Sequence, residues 1–224
     1  MVFNSLQFLV FFGIVTAAYF LLAHRFRWIL LLAASCYFYM AFQPIYLGIL
    51  GFTIIVDYYA GIYLEKFEGR SKKLFLAASL LANIGVLAFF KYFGFFTGNL
   101  TAVANLFGYS WHFPTLSILL PIGLSFHTFQ AMSYTIEVYR GHQKAERNFG
   151  IYCLYVMFYP QLVAGPIERP QNLIHQFYQE HVWDTARVQA GLFQMLQGLF
   201  KKVVIADRLA ILVDSVYGKI GRAS

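Results

Sequence analysis

The chain has 224 residues, of which 59% are apolar, one in five is aromatic and only 12% are charged; soluble domains carry about 25% charged residues. So few charges cannot cover a soluble domain, so much apolar content excludes disorder, and two cysteines exclude a disulfide scaffold. The net charge of +7 forms no continuous basic stripe of the kind nucleic acid requires; its cations sit in short gaps between apolar runs, and an integral membrane protein remains.

Six stretches approach the roughly 20 apolar residues that a helix needs to cross a bilayer. The first, 6–23, has no basic segment before it and no small-residue cleavage site after it, so it reads as a retained span and not a signal peptide. The others are 28–42, 45–64 with Asp57 inside it, 74–90 ending at Lys91, 118–138 with Pro121 near its start, and 149–164 closed by Pro160 and Gly165-Pro166. Residues 97–117 carry no charge but hold Tyr109 and Trp111, residue types that favour the headgroup layer, so this stretch is expected at an interface. After Arg187, residues 186–217 read as re-entrant or interfacial, with Lys201, Arg208 and Ser215 on one helical face.

Charge placement orients these spans. With the N-terminus outside, the inward gaps 24–27, 65–73 and 139–148 hold nine basic residues in 23 positions. The outward gaps, 1–5, 43–44, 91–117 and 165–185, hold only Lys91 and Arg169. The expectation is an all-α, multi-pass transmembrane protein with short interfacial or re-entrant segments, forming a single domain over 1–224.

Ionisable groups at membrane depth are costly and therefore functional suspects. Asp57 lies mid-span, His127 lies among Ser125, Thr128 and Gln130, and Glu137 stands at an inner helix end one turn from Arg140. For Asp57 and His127 a satisfied hydrogen bond in the core competes with a functional role. No pair of histidines has metal-ligand spacing, and Cys36 and Cys153 stand alone, so no metal site is expected. No phosphate-binding glycine loop and no nucleophile elbow is present. The helix-breaking Pro121-Ile122-Gly123 and Gly165-Pro166 fall inside or beside spans, where irregular backbone is tolerated only within protein or along a cavity. Residues 118–130 and 158–169 therefore suggest a funnel, with an ordinary packed kink as the alternative.

The run Leu120-Pro121-Ile122-Gly123-Leu124-Ser125-Phe126, then Thr128-Phe129-Gln130, Ser133-Tyr134 and Val138-Tyr139-Arg140-Gly141, resembles the signature of the membrane-bound O-acyltransferases. Phe158 to Ile167, reading FYPQLVAGPI, and Lys201 to Asp207, reading KKVVIAD, resemble further motifs of that family, nearest to the bacterial alginate O-acetyltransferases. The D-alanyl transferases of envelope polymers are cousins.

The resemblance covers the whole chain but corresponds to the N-terminal portion of a family member. The Arg-Trp-His and Trp-His-Gly segments, the second of which carries the family's proposed catalytic histidine, do not occur in these residues. His127 stands where relatives usually carry Tyr, and Gln161 where alginate enzymes often carry His. No catalytic residue is therefore assigned, and the chain alone is expected to be inactive. The resemblance implies transfer of an acyl group, an acetyl in the first instance, from acyl-CoA or an acyl-carrier thioester to a hydroxyl of an extracytoplasmic polysaccharide. A D-alanyl transfer, or a non-catalytic subunit of an export or acylation complex, is the alternative. It also implies a bacterial inner membrane, an extracytoplasmic acyltransferase as possible partner, and Pro121, Gly123, Ser125, His127, Gln130, Tyr134, Gln161, Gly165 and Pro166 as substrate-lining residues.

Overall fold

The computed structural model describes residues 3–41, 44, 46–106, 123–162, 165 and 167–220. Among these the chain is mainly helical, without strands: α1 (Leu6–Leu21), α2 (His24–Met40), α3 (Tyr46–Lys66), α4 (Gly69–Leu106), α5 (Leu124–Arg140), α6 (Phe149–Met157), α7 (Tyr159–Leu162), α8 (Pro170–Leu173), α9 (Thr185–Phe200) and α10 (Asp207–Ile220). Two stretches, Leu47–Lys66 and Gly69–Leu106, are long and apolar enough to cross a membrane. The chain is an all-α membrane protein. The chain packs as two compact units, one of Gly13–Glu180 and one of Val2–Phe12 with His181–Ser224.

In the first unit, α3, α4 and α5 pack on one another and α2 packs on α6. The core is aromatic: Tyr134, Tyr152 and Tyr155 are fully buried beside Ile54, Leu64 and Val138. The Tyr134 and Tyr152 ring centroids are 4.5 Å apart. Gly61 makes room for this packing, since a Cβ there would stand 2.8 Å from the Tyr134 ring.

Two expectations change. The stretch 149–164 does not form one crossing helix. It is the nine-residue α6, a break at Phe158, and the short α7. The chain then returns to the end from which it came. The Tyr155 hydroxyl donates to the Glu168 carbonyl, Gln171 Nε2 donates to Glu137 at 2.5 Å, and the Tyr178 hydroxyl donates to Glu146 at 2.7 Å. His24 Nε2 lies 3.1 Å from the Tyr178 carbonyl. Residues 167–180 thus share an end with 24–27, 65–73 and 139–148, and do not lie on the opposite side as expected for 165–185. Hydropathy treats an apolar limb that crosses and one that turns back identically; the turn follows from Pro160.

Second, α4 runs past Lys91 unbroken to Leu106, so residues 97–106 continue the helix that contains the expected span 74–90. The remainder of that stretch, 107–117 with Trp111, lies outside the described residues, as do Pro121 and Pro166. In the second unit α9 and α10 are joined by a π-helical turn, Lys201–Ala206, into one helical run whose side chains are mostly exposed over 185–217.

Candidate functional site

The break between α6 and α7 shows how the interior is satisfied. Pro160 has no N–H, so the Val156 carbonyl loses its usual i+4 donor. The Tyr159 N–H turns instead to Ser35 Oγ on α2, at 3.1 Å. That leaves the Tyr155 carbonyl, which accepts from Gln161 Nε2 at 3.2 Å. The His127 ring on α5 turns toward the Val156 carbonyl, without a well-formed hydrogen bond at Nδ1. Two side chains, from α2 and α7, thus serve one helix break, as backbone groups away from water require.

His127 is 1% exposed, and its Nε2 lies 3.3 Å from Thr53 Oγ1 on α3. Thr53 in turn donates to the Leu50 carbonyl. One turn along α5, Gln130 is equally buried, yet neither atom of its carboxamide has a partner among the described residues. Leaving such a group unpaired costs about 1–3 kcal/mol. Gln130 is therefore a group in this interior with hydrogen-bonding capacity to spare: an N–H for a carbonyl oxygen and a carbonyl for a hydroxyl.

Tyr134 lies about 10 Å along α5 from His127. Its hydroxyl accepts from the Glu146 N–H at 2.8 Å, toward the end opposite Leu124. Gly123, at φ +80°, starts α5 in the left-handed conformation that glycine tolerates. Ser125 is half-buried on the first turn. Leu124 and Leu162 meet in one buried apolar cluster with Tyr39 and Leu50. Gly165 packs against the backbone of Gln161, where a Cβ would stand 2.4 Å from the Gln161 Cα. Of the candidate site residues, Gly123, Ser125, His127 and Gln130 thus share the first two turns of α5. The α6–α7 turn, with Gln161, meets them at His127 and Leu124. Tyr134 stands apart, and Pro121 and Pro166 lie outside the described residues.

A second polar cluster lies in the middle of α3. Asp57 is fully buried; Ser79 Oγ donates to its Oδ1 at 2.6 Å, and Asn83 Nδ2 lies 2.8 and 2.9 Å from its two oxygens. Thr135 Oγ1 on α5 is 3.4 Å from Ser79 Oγ. Asp57 therefore serves as an acceptor that ties three helices. Its partners were legible as Ser79 and Asn83, four residues apart in an otherwise apolar stretch, which places both on one helical face. Glu137 acts similarly at the helix end, accepting from Gln171 and, at 3.5 Å, from Arg140, with His142 Nδ1 3.1 Å away.

The fold and its inward-turned polar groups define an all-α membrane protein with a broken, returning hairpin packed in its bundle. No family model matches the chain. No solved structure matches it. It is similar to the probable alginate O-acetylases AlgI of Azotobacter vinelandii, at 36% identity over 97% of this chain and 44% of the relative, and of Pseudomonas aeruginosa, at 35% over 97% and 42%. It is also similar to a peptidoglycan O-acetyltransferase of Helicobacter pylori, at 32% identity over 84% of this chain and 40% of the relative. The chain belongs to the membrane-bound O-acyltransferase family. It spans less than half the length of these curated relatives.

Proposed function

We propose that the chain forms part of a membrane O-acyltransferase that places acetyl groups on hydroxyls of an envelope polysaccharide. The supporting observation is similarity along nearly the whole chain to O-acetylating proteins named for two different glycans, alginate and peptidoglycan. In this reading the donor is acyl-CoA or an acyl-carrier thioester at the cytoplasmic face. The acceptor lies outside, in the manner of a bacterial inner-membrane protein with its N-terminus outside.

The chain's own residues would hold the reactants and would not move the proton. His127 is engaged with Thr53 and faces a backbone carbonyl, which suits support of the helix break more than general-base work. Gln130 has the free capacity to bind a carbonyl or hydroxyl. Fixing two reactants in line is itself worth a large part of a barrier. General-base chemistry would come from the histidine segment that the family carries elsewhere.

Deleting the gene and measuring base-labile acetate on the purified envelope polysaccharide tests the reading. Loss of acetate, restored by the intact gene and reduced at least about ten-fold in restoration by Gln130→Leu, is expected. Unchanged acetate after deletion overturns it. Turnover by the purified 224-residue chain that His127→Ala abolishes would overturn the division of roles.

A further inference from the structure

At the end of the first unit where α3 turns into α4, the charges are unevenly used. Arg147 pairs with Glu65 at 2.6 Å and Arg140 with Glu137. Lys66, Arg70, Lys72 and Lys73 form no ion pair with any described residue, and Glu68 is the remaining carboxylate of the turn. Three of these four cations are exposed and Lys72 is half-buried.

Beneath them lies an aromatic tier. Phe67 stacks on Phe75 at 5.4 Å, and Tyr63 stacks on Phe75 at 5.0 Å. Tyr63 and Phe67 remain 39% and 37% exposed. Lys66 Nζ stands 5.8 Å from the Phe67 ring, and Lys72 Nζ stands 5.3 Å from the Tyr139 ring. Exposed rings under free cations match a bilayer interface, where rings favour the glycerol level and long cationic side chains reach the phosphates. A soluble polyanion would engage the cations and leave the rings unrewarded.

We propose that the α3–α4 turn is a docking surface for anionic phospholipid headgroups, with Lys66, Arg70, Lys72 and Lys73 contacting the phosphates. This does not depend on the acyl-transfer reading. The detergent-purified chain, reconstituted in nanodiscs of equimolar phosphatidylcholine and phosphatidylglycerol, is analysed by native mass spectrometry for retained lipid. Each engaged cation favours the anionic lipid by about five-fold, so phosphatidylglycerol enrichment of at least that size is expected. The fourfold substitution Lys66→Gln, Arg70→Gln, Lys72→Gln, Lys73→Gln brings it to near one, while Lys91→Gln leaves it unchanged.

Because removing four cations can disturb insertion, the unaltered chain supplies a second measurement. Raising salt from about 50 to about 500 mM erodes the enrichment if it is electrostatic. Equal retention of both lipids by the unaltered chain overturns the proposal. So does enrichment indifferent to salt, or retention of inorganic pyrophosphate without any phosphatidylglycerol preference.

Discussion

Removing Asn83 is expected to damage the protein more than removing Asp57, although Asp57 is the ionisable residue. Asn83→Ala takes away the donor that spans both carboxyl oxygens and leaves Asp57 with Ser79 alone, at a site sealed from water. A hydrogen bond to a charged group is worth about 1.5–3 kcal/mol, and losing both that Asn83 gives a buried carboxylate should cost about 3 kcal/mol. Asp57→Ala is milder, because its partners have others: Asn83 Nδ2 also lies 3.0 Å from the Ser79 carbonyl, and Ser79 Oγ has Thr135 within 3.4 Å. That change should cost about 1–2 kcal/mol. For a chain of this length about 1 kcal/mol moves Tm by 2–4 °C. Thermal unfolding in detergent, followed by tryptophan fluorescence, should thus show a loss of about 6–12 °C for Asn83→Ala and about half that or less for Asp57→Ala. The double variant should fall short of the sum, since the stranded carboxyl is gone. An Asp57→Ala loss equal to or larger than that of Asn83→Ala, or strict additivity, refutes this account of the cluster.

The returning hairpin predicts that Gln179→Cys and Lys144→Cys, each introduced after Cys36→Ala and Cys153→Ala, react with a membrane-impermeant maleimide from the same side. Labelling from opposite sides would restore a full crossing at 149–164. Gly165→Ala drives a Cβ into the Gln161 backbone and should lower Tm by several degrees, as overpacking of about 1–3 kcal/mol implies. Gly13→Ala, inside α1 with open space around it, should raise Tm by a few degrees, as about 0.4–1 kcal/mol of lost chain entropy implies. Burial first, and then the Glu146 carboxylate it donates to, raise the Tyr178 hydroxyl above its ordinary value of 10. A raised phenol stabilises the fold below its unfolded pKa and loses that contribution as pH rises through the folded value. Tyr178→Phe should therefore cost about 1 kcal/mol at neutral pH, with the gap to the unaltered chain closing only above about pH 10.

Much of this fold is legible because its long apolar runs form helices and because charge gathers at one set of helix ends. Asp57 was visible as an anomaly, and its answer, Ser79 with Asn83, was visible as a second one in the next apolar run. What hydropathy could not supply was direction. Residues 149–162 are apolar whether they cross or turn back, and the limb that decides it, 167–178, is polar and held by Glu137 and Glu146, long-range partners with no local pattern. The continuation of α4 past its apolar span is hidden for a related reason: Lys91 breaks a hydropathy window but not a helix. Gln161 was read as a lining residue, and its carboxamide turns out to be engaged by a backbone carbonyl, a use that only the break at Phe158 creates.

The length of α4 has a mechanical consequence. Thirty-eight residues rise about 57 Å, against about 30 Å of hydrocarbon. Even a 40° inclination, the upper end of what membrane helices adopt, takes up only about 39 Å of that. A good part of the helix therefore projects beyond the lipid tails like a mast. Phe95, Phe96, Leu100 and Leu106 all stand exposed along its far half. Wherever the hydrocarbon slab lies along this spar, a stretch of its apolar surface stands at headgroup level and not among acyl chains.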